Sequence, residues 1–317
     1  MQTTLNQSHD LTVYVCTWNL EGGVPPQDML SFIPIGEFDI FAIGTEECER
    51  TIAKSFFNSK KEKWEAVLEA FFTPNDYCLV ETSTLMACHI AVYIRSSLRP
   101  HLSCVQRNKV ATGFGQVIGN KGAVMVAFCL FERPFLFISS HFEANQHSIQ
   151  ERNMNYLRIQ TETDINYCKH CLPRDSAEPD DEIMTNHFDY VWWMGDFNYR
   201  IDGTVEMILQ LMKRGEYGIL SLHDQLYVER KAGNVFQHGF CEGPLLFKPT
   251  YKIQPYSNPP DYGQMSKKRI PSWTDRIFWR PSQRKETDRV ALLKYNAAWT
   301  ATLSDHRPVF CLFHIVC

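Results

Sequence analysis

The sequence predicts one large α+β domain that combines buried β-strands with amphipathic helices. Three observations lead to this prediction: short continuous apolar runs, segments with helical periodicity, and no visible repeat, linker or low-complexity boundary in 317 residues. Hydrophobic residues make up 44% of the chain, which is enough for a sizeable core. We therefore treat residues 11–317 as a single domain and the polar residues 1–10 as a flexible N-terminus.

Most elements predicted in the first half of the chain are strands. Short apolar runs predict strands at residues 11–17, 38–44, 88–95, 123–131 and 134–140, the last two as an antiparallel pair. Residues 50–72 instead carry an apolar stripe at helical spacing, which includes Trp64 and Phe72 and is typical of core packing. Phe56 and Phe57 lie beside lysines in this segment, so they either pack in the ordinary way or enter a membrane interface.

The second half mixes helices, strands and irregular segments. Residues 149–168 predict a helix whose inner face carries Met154, Leu157, Thr161, Ile165 and Cys168. A buried strand begins at Val191. Further helices and strands are predicted at residues 205–212, from 221 onward, at 277–280 and at 309–316. Residues 173–187 and 247–262 lack periodicity and predict loops.

The stretch from Val191 to Arg200 is the most informative local pattern. Its bulky apolar run ends at Gly195, and an acid, an amide and an arginine follow within five residues. Asp196 and Asn198 are two residues apart, so they project to the same side if strand geometry persists. A carboxylate and a carboxamide placed together can activate and orient one water molecule. The alternative is a strand-end turn in which both side chains cap the backbone.

Other predicted strands also begin or end at polar side chains. Together these residues are Asn19, Glu47 or Glu46, His141, Asp196, Asn198, Asp275, Asp305 and His306. The set contains carboxylates, amides and two histidines but no cysteine, which suits a hard cation such as Mg²⁺ better than zinc. Acids for a cation, an acid–amide pair for water and histidines for an anion indicate phosphoester hydrolysis. A buried acid such as Asp275 can fix the tautomer of a histidine.

The charge pattern narrows the class of ligand. Lys plus Arg is 32 and Asp plus Glu is 36, a net charge of −4, whereas proteins that bind bulk nucleic acid are usually basic. Against this acidic balance, residues 267–276 form a dense basic segment that marks an anionic ligand. Its basic residues are Lys267, Lys268, Arg269 and Arg276. The glycine-rich turn at 112–122 adds Lys121 and backbone amides that can cradle an anion.

Cysteine usage and hydropathy bear on the compartment. The 11 cysteines are scattered, and the tight cluster between Cys168 and Cys171 lacks a second ligand pair at zinc spacing. The first ten residues contain no apolar signal core, and no run reaches transmembrane length. We therefore expect a reduced, soluble, cytoplasmic protein.

Two longer motifs carry a family resemblance. Trp193–Arg200 (WMGDFNYR) and Arg269–Arg276 (RIPSWTDR) resemble the signature motifs of the inositol polyphosphate 5-phosphatases, within the endonuclease/exonuclease/phosphatase superfamily. Shorter blocks match in the same order, at Asn19, Glu47, Lys121, His141, Lys252 and His306. The resemblance spans about residue 11 to residue 316.

The resemblance implies a fold and a metal site. The implied fold is a four-layer sandwich of two mostly antiparallel β-sheets, packed face to face and flanked by helices. Strands from both sheets end at the site. Glu47, the last acid of its block, is the implied main Mg²⁺ ligand, with Asn19 nearby and Asp305 supporting the metal region. Glu46 stands where the family often has glutamine, which adds a negative charge near the metal.

The resemblance also implies a reaction, the removal of the 5-phosphate from phosphoinositides or inositol phosphates. Asp196 and Asn198 would activate and orient the attacking water. His141 and His306 would bind the scissile phosphate, with His306 steered by Asp275.

Basic residues near the end of the chain are the implied substrate contacts. Tyr251, Lys252, Lys267 and Lys268 resemble the family's reader of the neighbouring 4-phosphate. Arg269 and Arg276 either bind substrate or pair with carboxylates inside their motif. Glu143 puts a carboxylate where the family more often has a small or neutral residue.

Two functions remain open at this point. The first is the Mg²⁺-dependent phosphatase, with transient contact with the anionic cytosolic face of membranes and no nucleic acid partner. The second is a catalytically weak phosphoinositide-binding module that uses the same basic cleft. The filled catalytic positions favour the enzyme.

Overall fold

The computed structural model describes residues 9–23, 32–49, 61–113, 121–165, 183–237, 239–263, 269–282 and 288–316. These residues form two six-stranded sheets. The first contains, in spatial order, β11 (Arg289–Ala297), β12 (Val309–Val316), β1 (Asp10–Asn19), β2 (Ile40–Glu46), β4 (Cys88–Arg95) and β3 (Tyr77–Leu85). The second contains β5 (Leu102–Ala111), β6 (Gly122–Leu130), β7 (Arg133–His141), β8 (Tyr190–Asp196), β10 (Asp275–Arg280) and β9 (Cys241–Glu242). β1 is parallel to β2 and β7 to β8, and the other neighbouring strands are antiparallel.

The two sheets pack face to face around one apolar core. Val13 and Val15 of β1 belong to the same buried cluster as Val126 of β6, Phe137 of β7 and Trp192 of β8. Every residue of β2, β6, β7 and β8 is buried. Strands covered on both faces need no polar alternation, which is why these segments appear in the sequence as continuous apolar runs.

Helices cover the outer faces of the sheets. The described helices are α1 (Glu62–Phe72), α2 (Ile149–Thr161), α3 (Val205–Arg214), α4 (Tyr217–Leu222) and α5 (Gln225–Lys231). On the first sheet, Phe72 of α1 stacks on Tyr93 with ring centroids 4.3 Å apart. On the second, Tyr156 of α2 stacks on Trp193 at 5.1 Å. The four-layer sandwich implied by the resemblance is therefore confirmed.

The buried face of α2 differs from the expected one. Met154 and Leu157 are 51% and 50% exposed, although apolar spacing predicts them inside. The buried face instead carries Arg152 and Tyr156. Arg152 is buried because its guanidinium lies over the Tyr199 ring, 4.9 Å from the centroid, and donates to loop carbonyls. A helix that buries an arginine in this way cannot be oriented from its apolar residues alone.

Most other element boundaries follow the sequence closely, apart from the edges of the sheets and the end of α2, which lies at Thr161 although a helix was predicted to residue 168. The expected strands begin and end within two residues of their predicted bounds. Four described strands were not predicted, β3, β5, β9 and β11, and each lies at the edge of a sheet. The predicted helix over 50–72 is helical only from Glu62, and residues 50–60, including Phe56 and Phe57, lie outside the described residues.

The cysteines differ from expectation at one position. Cys104 is disulfide-bonded, whereas Cys16, Cys48, Cys78, Cys88, Cys241 and Cys311 carry free thiols. The expectation of a fully reduced chain is therefore wrong at Cys104, because scattered positions in sequence do not reveal which cysteines approach each other in space. Among the described residues, no helix is both long and apolar enough to cross a membrane.

Candidate active site

The two parallel strand pairs end at one edge of the molecule, where the polar residues meet. β1, β2, β7 and β8 end there in Asn19, Glu46, His141 and Asp196. β10 and β12 run antiparallel to β8 and β1, so they begin at this edge, and Asp275 pairs directly with Asp196. The topology of both sheets therefore gathers side chains that are far apart in sequence. We call these side chains the polar cluster.

Asp196 is buried and held by three groups. Nδ2 of Asn19 donates to its Oδ2 at 3.0 Å, the backbone N–H of Asn198 donates to its Oδ1 at 3.1 Å, and Nε2 of His141 lies 3.3 Å from Oδ2. Burial alone would raise the pKa of the Asp196 carboxyl. The hydrogen bond and charge of His141, with the charge of His306, instead hold this pKa well below its usual range. The carboxylate is therefore ionised and fixed in orientation.

Asn198 lies just beyond the strand, with a left-handed φ of 57°. Asparagine tolerates this conformation better than most residues. Its Nδ2 donates to the carbonyl of Phe142 at 3.1 Å, and its Oδ1 accepts from Arg200. Strand geometry thus stops at Asp196, as the turn alternative predicts. Asn198 is nevertheless buried, next to Asp196.

His306 and Asp275 form a buried pair. Nδ1 of His306 donates to Oδ2 of Asp275 at 2.9 Å, and the hydroxyls of Thr250 and Thr274 donate to the same oxygen, each at 2.9 Å. Burial alone would lower the pKa of His306, but the charge and hydrogen bond of Asp275 raise it to about 10. The ring is therefore a cation at neutral pH. Its Nε2 lies 3.8 Å from Oδ1 of Asp305.

Glu46 and Glu47 have different surroundings. Glu46 has 0% exposure, and its carboxyl group accepts from the hydroxyls of Thr17 at 3.2 Å and Ser139 at 3.1 Å. Burial, with the charge of Asp196, raises the pKa of Glu46 well above its usual range. This shift favours the protonated form of Glu46 and opposes the negative charge expected at this position. Glu47 is only partly buried and follows the end of β2 with a φ of 51°.

Lys121 is buried beside His141. Its Nζ lies 2.6 Å from Nε2 of His141. Burial lowers the pKa of Lys121, and the charges of Asp196, Glu47 and Glu143 oppose this shift. Lys121 is thus part of the polar cluster, and the unusual acid Glu143 acts on it electrostatically. Residues 114–120, which complete the glycine-rich turn, lie outside the described residues.

Lys252 forms ion pairs at the same edge. Its Nζ bonds to Oδ2 of Asp305 and lies 3.7 Å from Oε1 of Glu21. Burial alone would lower the pKa of Lys252, but the hydrogen bond and charge of Asp305 raise it. The ring of Tyr251 lies 4.5 Å from that of His306. Tyr251 and Lys252 therefore join the polar cluster, as expected.

Arg276 does not join it. Because neighbouring residues of a strand face opposite sides, Arg276 projects away from Asp275. Its Nε and Nη2 donate to Glu242 at 2.5 and 2.7 Å, and its Nη1 donates to Asp224 at 2.9 Å. The expectation that Arg276 binds substrate is therefore wrong. The alternative of a structural arginine holds, but its carboxylate partners lie outside the motif in which they were expected.

The other basic residues of that segment are less informative. Arg269 is described and exposed. Lys267 and Lys268 lie outside the described residues. Their expected contact with substrate stays a prediction.

The chemistry of the donor set fits a hard divalent cation. Ligand atoms of Asp196, Asp275 and His306 lie within 4.8 Å of one another. Oδ2 of Asp275 already accepts three hydrogen bonds, so Asp275 and His306 fit better as a pair than as metal ligands. Asp196, Asn19 and Glu47 remain as oxygen donors, and Mg²⁺ prefers oxygen ligands.

Sequence reasoning missed three residues of the polar cluster. Thr250 and Thr274 hold Asp275, and the backbone N–H of Glu21 donates to Oδ1 of Asn19 at 3.0 Å. Each of the three lies within two residues of an expected site residue. A polar residue within two positions of a candidate site residue was therefore an available signal for these positions.

Comparisons with known proteins agree with this geometry. The sequence model described as Endonuclease/Exonuclease/phosphatase family 2 matches residues 16–312. Synaptojanin-1 of Rattus norvegicus is 32% identical, over 96% of this chain and 21% of its own length. Phosphatidylinositol polyphosphate 5-phosphatase type IV of Mus musculus is 32% identical, over 96% of this chain and 46% of its own length. The chain thus spans about a fifth to about half of these relatives.

A solved structure extends the similarity to the fold. The inositol polyphosphate 5-phosphatase domain of SPsynaptojanin, in complex with inositol (1,4)-bisphosphate and a calcium ion, is 25% identical, with a TM-score of 0.80 over 98% of this chain and 85% of that one. These findings confirm the resemblance to the inositol polyphosphate 5-phosphatases. The chain belongs to the endonuclease/exonuclease/phosphatase family 2.

Proposed function

We propose that this protein is an Mg²⁺-dependent phosphatase that removes the 5-phosphate of phosphoinositides, such as phosphatidylinositol 4,5-bisphosphate and phosphatidylinositol 3,4,5-trisphosphate, or of soluble inositol polyphosphates. The observation that carries the proposal is the position of the ionised Asp196 at the same edge as the cationic His306. A base for water and a cation for phosphate are the two groups that phosphoester hydrolysis requires.

The chain's own residues perform the proton and charge steps. The Asp196 carboxylate accepts a proton from the attacking water, and Asn198 orients Asp196 through its backbone N–H. Nε2–H of His306 donates to a phosphoryl oxygen and stabilises the charge that develops there. Asp275 keeps the ring charged and oriented.

Glu47 and Asn19 would hold the cation, with Asp305 and Asp196 close by. When bound, Mg²⁺ supplies neutralisation of phosphate charge and polarisation of the phosphoryl group. His141 and the buried Lys121 lie beside Asp196 and would contact the scissile phosphate.

Substrate recognition is proposed from the residues around Lys252. The related SPsynaptojanin domain holds inositol (1,4)-bisphosphate and calcium, which supports an inositol phosphate ligand and a divalent cation here. Tyr251 and Lys252 lie at the polar cluster and would read the phosphate next to the scissile one. Lys267, Lys268 and Arg269 would extend this positive surface, and a lipid substrate would bring the cytosolic protein into transient contact with an anionic membrane.

Phosphate release from a defined panel tests the proposal. The panel holds soluble inositol phosphates and phosphoinositides in vesicles that differ at positions 3, 4 and 5, each with Mg²⁺ and with a chelator. We expect Mg²⁺-dependent release only from members with a 5-phosphate, and the ratio of lipid to soluble rates ranks the two sources. A folded sample that releases no phosphate but binds the vesicles would replace the enzyme with the binding module.

A further inference from the structure

The side chain of Arg200 contacts two residues of the active site, Asn198 beside Asp196 and Tyr251 beside His306. It is only 7% exposed. Its Nε donates to the backbone carbonyl of Asn198 at 3.0 Å, and its Nη2 donates to Oδ1 of the same residue. Its guanidinium lies over the ring of Tyr251, 4.5 Å from the centroid, which is a cation–π distance.

The contacts with Asn198 decide which way its amide faces. Oδ1 accepts from Arg200, and Nδ2 donates to the carbonyl of Phe142 at 3.1 Å. β8 ends at Asp196, so strand pairing does not hold Asn198 in place. The two donors of Arg200 fix both oxygens of Asn198 instead. Without Arg200 the Asn198 side-chain amide could turn over, and the backbone that donates its N–H to Asp196 would lose the contact that fixes its carbonyl.

The contact with Tyr251 links Arg200 to His306, the residue proposed to bind the phosphate. The Tyr251 ring lies 4.5 Å from the His306 ring at an interplanar angle of 39°. His306 is held at Nδ1 by Asp275. Arg200 thus connects the residues beside the water-activating acid with the ring packed against the phosphate-binding histidine.

The described contacts of Arg200 are suited to orienting neighbouring groups and not to neutralising a carboxylate. Within the described ranges, Arg200 forms no ion pair with a carboxylate. Its contacts are carbonyl oxygens and an aromatic face, which constrain direction. Arg276 is the contrast, since it is enclosed by Asp224 and Glu242.

We propose that Arg200 is a positioning residue, which holds the Asn198 amide in one orientation and the Tyr251 ring against His306. The residues that act on the water and the residues that bind the phosphate are then aligned on the same phosphate. The inference rests on the proposed phosphatase function, and it adds a residue that acts through its neighbours without touching the reacting atoms.

A double-mutant cycle tests this proposal. Arg200→Met, Asn198→Ala and the double variant are compared for kcat and KM on the 5-phosphorylated substrate that the wild type hydrolyses fastest. We expect Arg200→Met to lower kcat about 10- to 100-fold, and to have a much smaller effect when Asn198 is already alanine. Effects that multiply in the double variant would overturn the proposal, as would wild-type kcat in Arg200→Met.

Two further measurements keep the test decisive. The side-chain amide resonances of Asn198 need no activity: we expect them to shift or broaden in Arg200→Met and in Arg200→Lys, and unchanged resonances in both would overturn the proposal. Arg230→Met is the matched control, because Arg230 also donates to backbone carbonyls and lies over an aromatic ring, that of Phe278 at 5.2 Å, outside the polar cluster. A wild type without phosphatase activity would refute the proposed function, while the amide resonances would still test the role of Arg200.

Discussion

Nδ1 of His306 lies 2.9 Å from Oδ2 of Asp275, and both side chains are buried where β10 begins and the segment before β12 passes. The hydroxyls of Thr250 and Thr274 converge on the same carboxylate oxygen. A carboxylate oxygen that accepts three hydrogen bonds holds the whole carboxylate in one orientation. The pair therefore acts as a unit, in which Asp275 sets the charge and direction of the histidine ring.

The first prediction separates the charge that Asp275 provides from the orientation that its hydrogen bonds provide. Asp275→Asn keeps the shape of the side chain but removes the charge that sustains the imidazolium, so we expect kcat to fall by about 10²-fold or more. Thr250→Val is the milder comparison, because it removes one hydrogen bond and leaves the charge in place. Steady-state kinetics with Mg²⁺ measures both. Equal losses in the two variants would mean that the hydrogen-bond network matters and the charge does not.

The second prediction concerns the proposed base. Asp196→Asn retains the volume of the buried side chain but cannot accept a proton, so we expect kcat to fall by about 10²-fold or more with little change in KM. Circular dichroism and thermal unfolding establish whether the variant is folded. Unchanged turnover in a folded Asp196→Asn sample would show that another group activates the water.

The third prediction concerns Glu46, which is enclosed by Thr17 and Ser139 and whose pKa is raised by burial. Its folded pKa lies above the unfolded value of about 4.5, so the wild type loses stability as pH rises above that value. Glu46→Gln removes this loss. We expect its free energy of unfolding to exceed that of the wild type by an amount that grows from pH 5 to pH 8.

Denaturant titrations at several pH values, with a chelator present, measure this difference. Glu65→Gln is the opposite control, because the hydrogen bond with His89 lowers the pKa of Glu65. That carboxylate stabilises the fold above about pH 4.5, and its contribution is lost as pH falls. A stability difference between wild type and Glu46→Gln that does not depend on pH would mean that Glu46 is ionised.

The fourth prediction concerns Arg276, which is enclosed by Glu242 and Asp224. Arg276→Met leaves two buried carboxylates without their cation, so we expect the free energy of unfolding to fall by about 3–5 kcal/mol. KM measured on the remaining folded protein should stay near the wild-type value. A large rise in KM with unchanged stability would return Arg276 to the substrate-binding residues.

The sequence predicted the central strands and missed the edges for one physical reason. Strands covered on both faces, such as β6 and β8, are continuous apolar runs, which stand out in any sequence. β5 and β11 each have one neighbouring strand and many exposed side chains, so polar residues interrupt their pattern. Edge strands are identified by the partner they pair with, and a single sequence does not contain that information.

The site was predictable in composition and less so in orientation. The sequence predicted that oxygen-bearing residues at the ends of buried strands meet. Asp196 and Asn19 do meet, because the ends of parallel strands lie at one edge. Whether a given side chain points into the polar cluster depends on register and on local backbone. The carboxyl group of Glu46 is enclosed by Thr17 and Ser139, and Arg276 faces away from the cluster, although both lie beside other expected site residues.

The last prediction concerns Lys252, a cation of the polar cluster with two carboxylate partners. Asp305 and Glu21 both pair with it, and Glu21 is about half exposed. A substrate phosphate must compete with these acids for the lysine.

Glu21→Gln removes the weaker competitor, so we expect a lower KM for substrates with a phosphate next to the scissile one and no change for those without it. Lys252→Met should raise KM for the first group only, because the lysine would contact the neighbouring phosphate and not the reacting atoms. Kinetics at two salt concentrations checks the origin of the effect, since salt screens partly exposed charges and should shrink the gain in Glu21→Gln. A uniform change in KM across both groups of substrate would place Lys252 outside the recognition of the neighbouring phosphate.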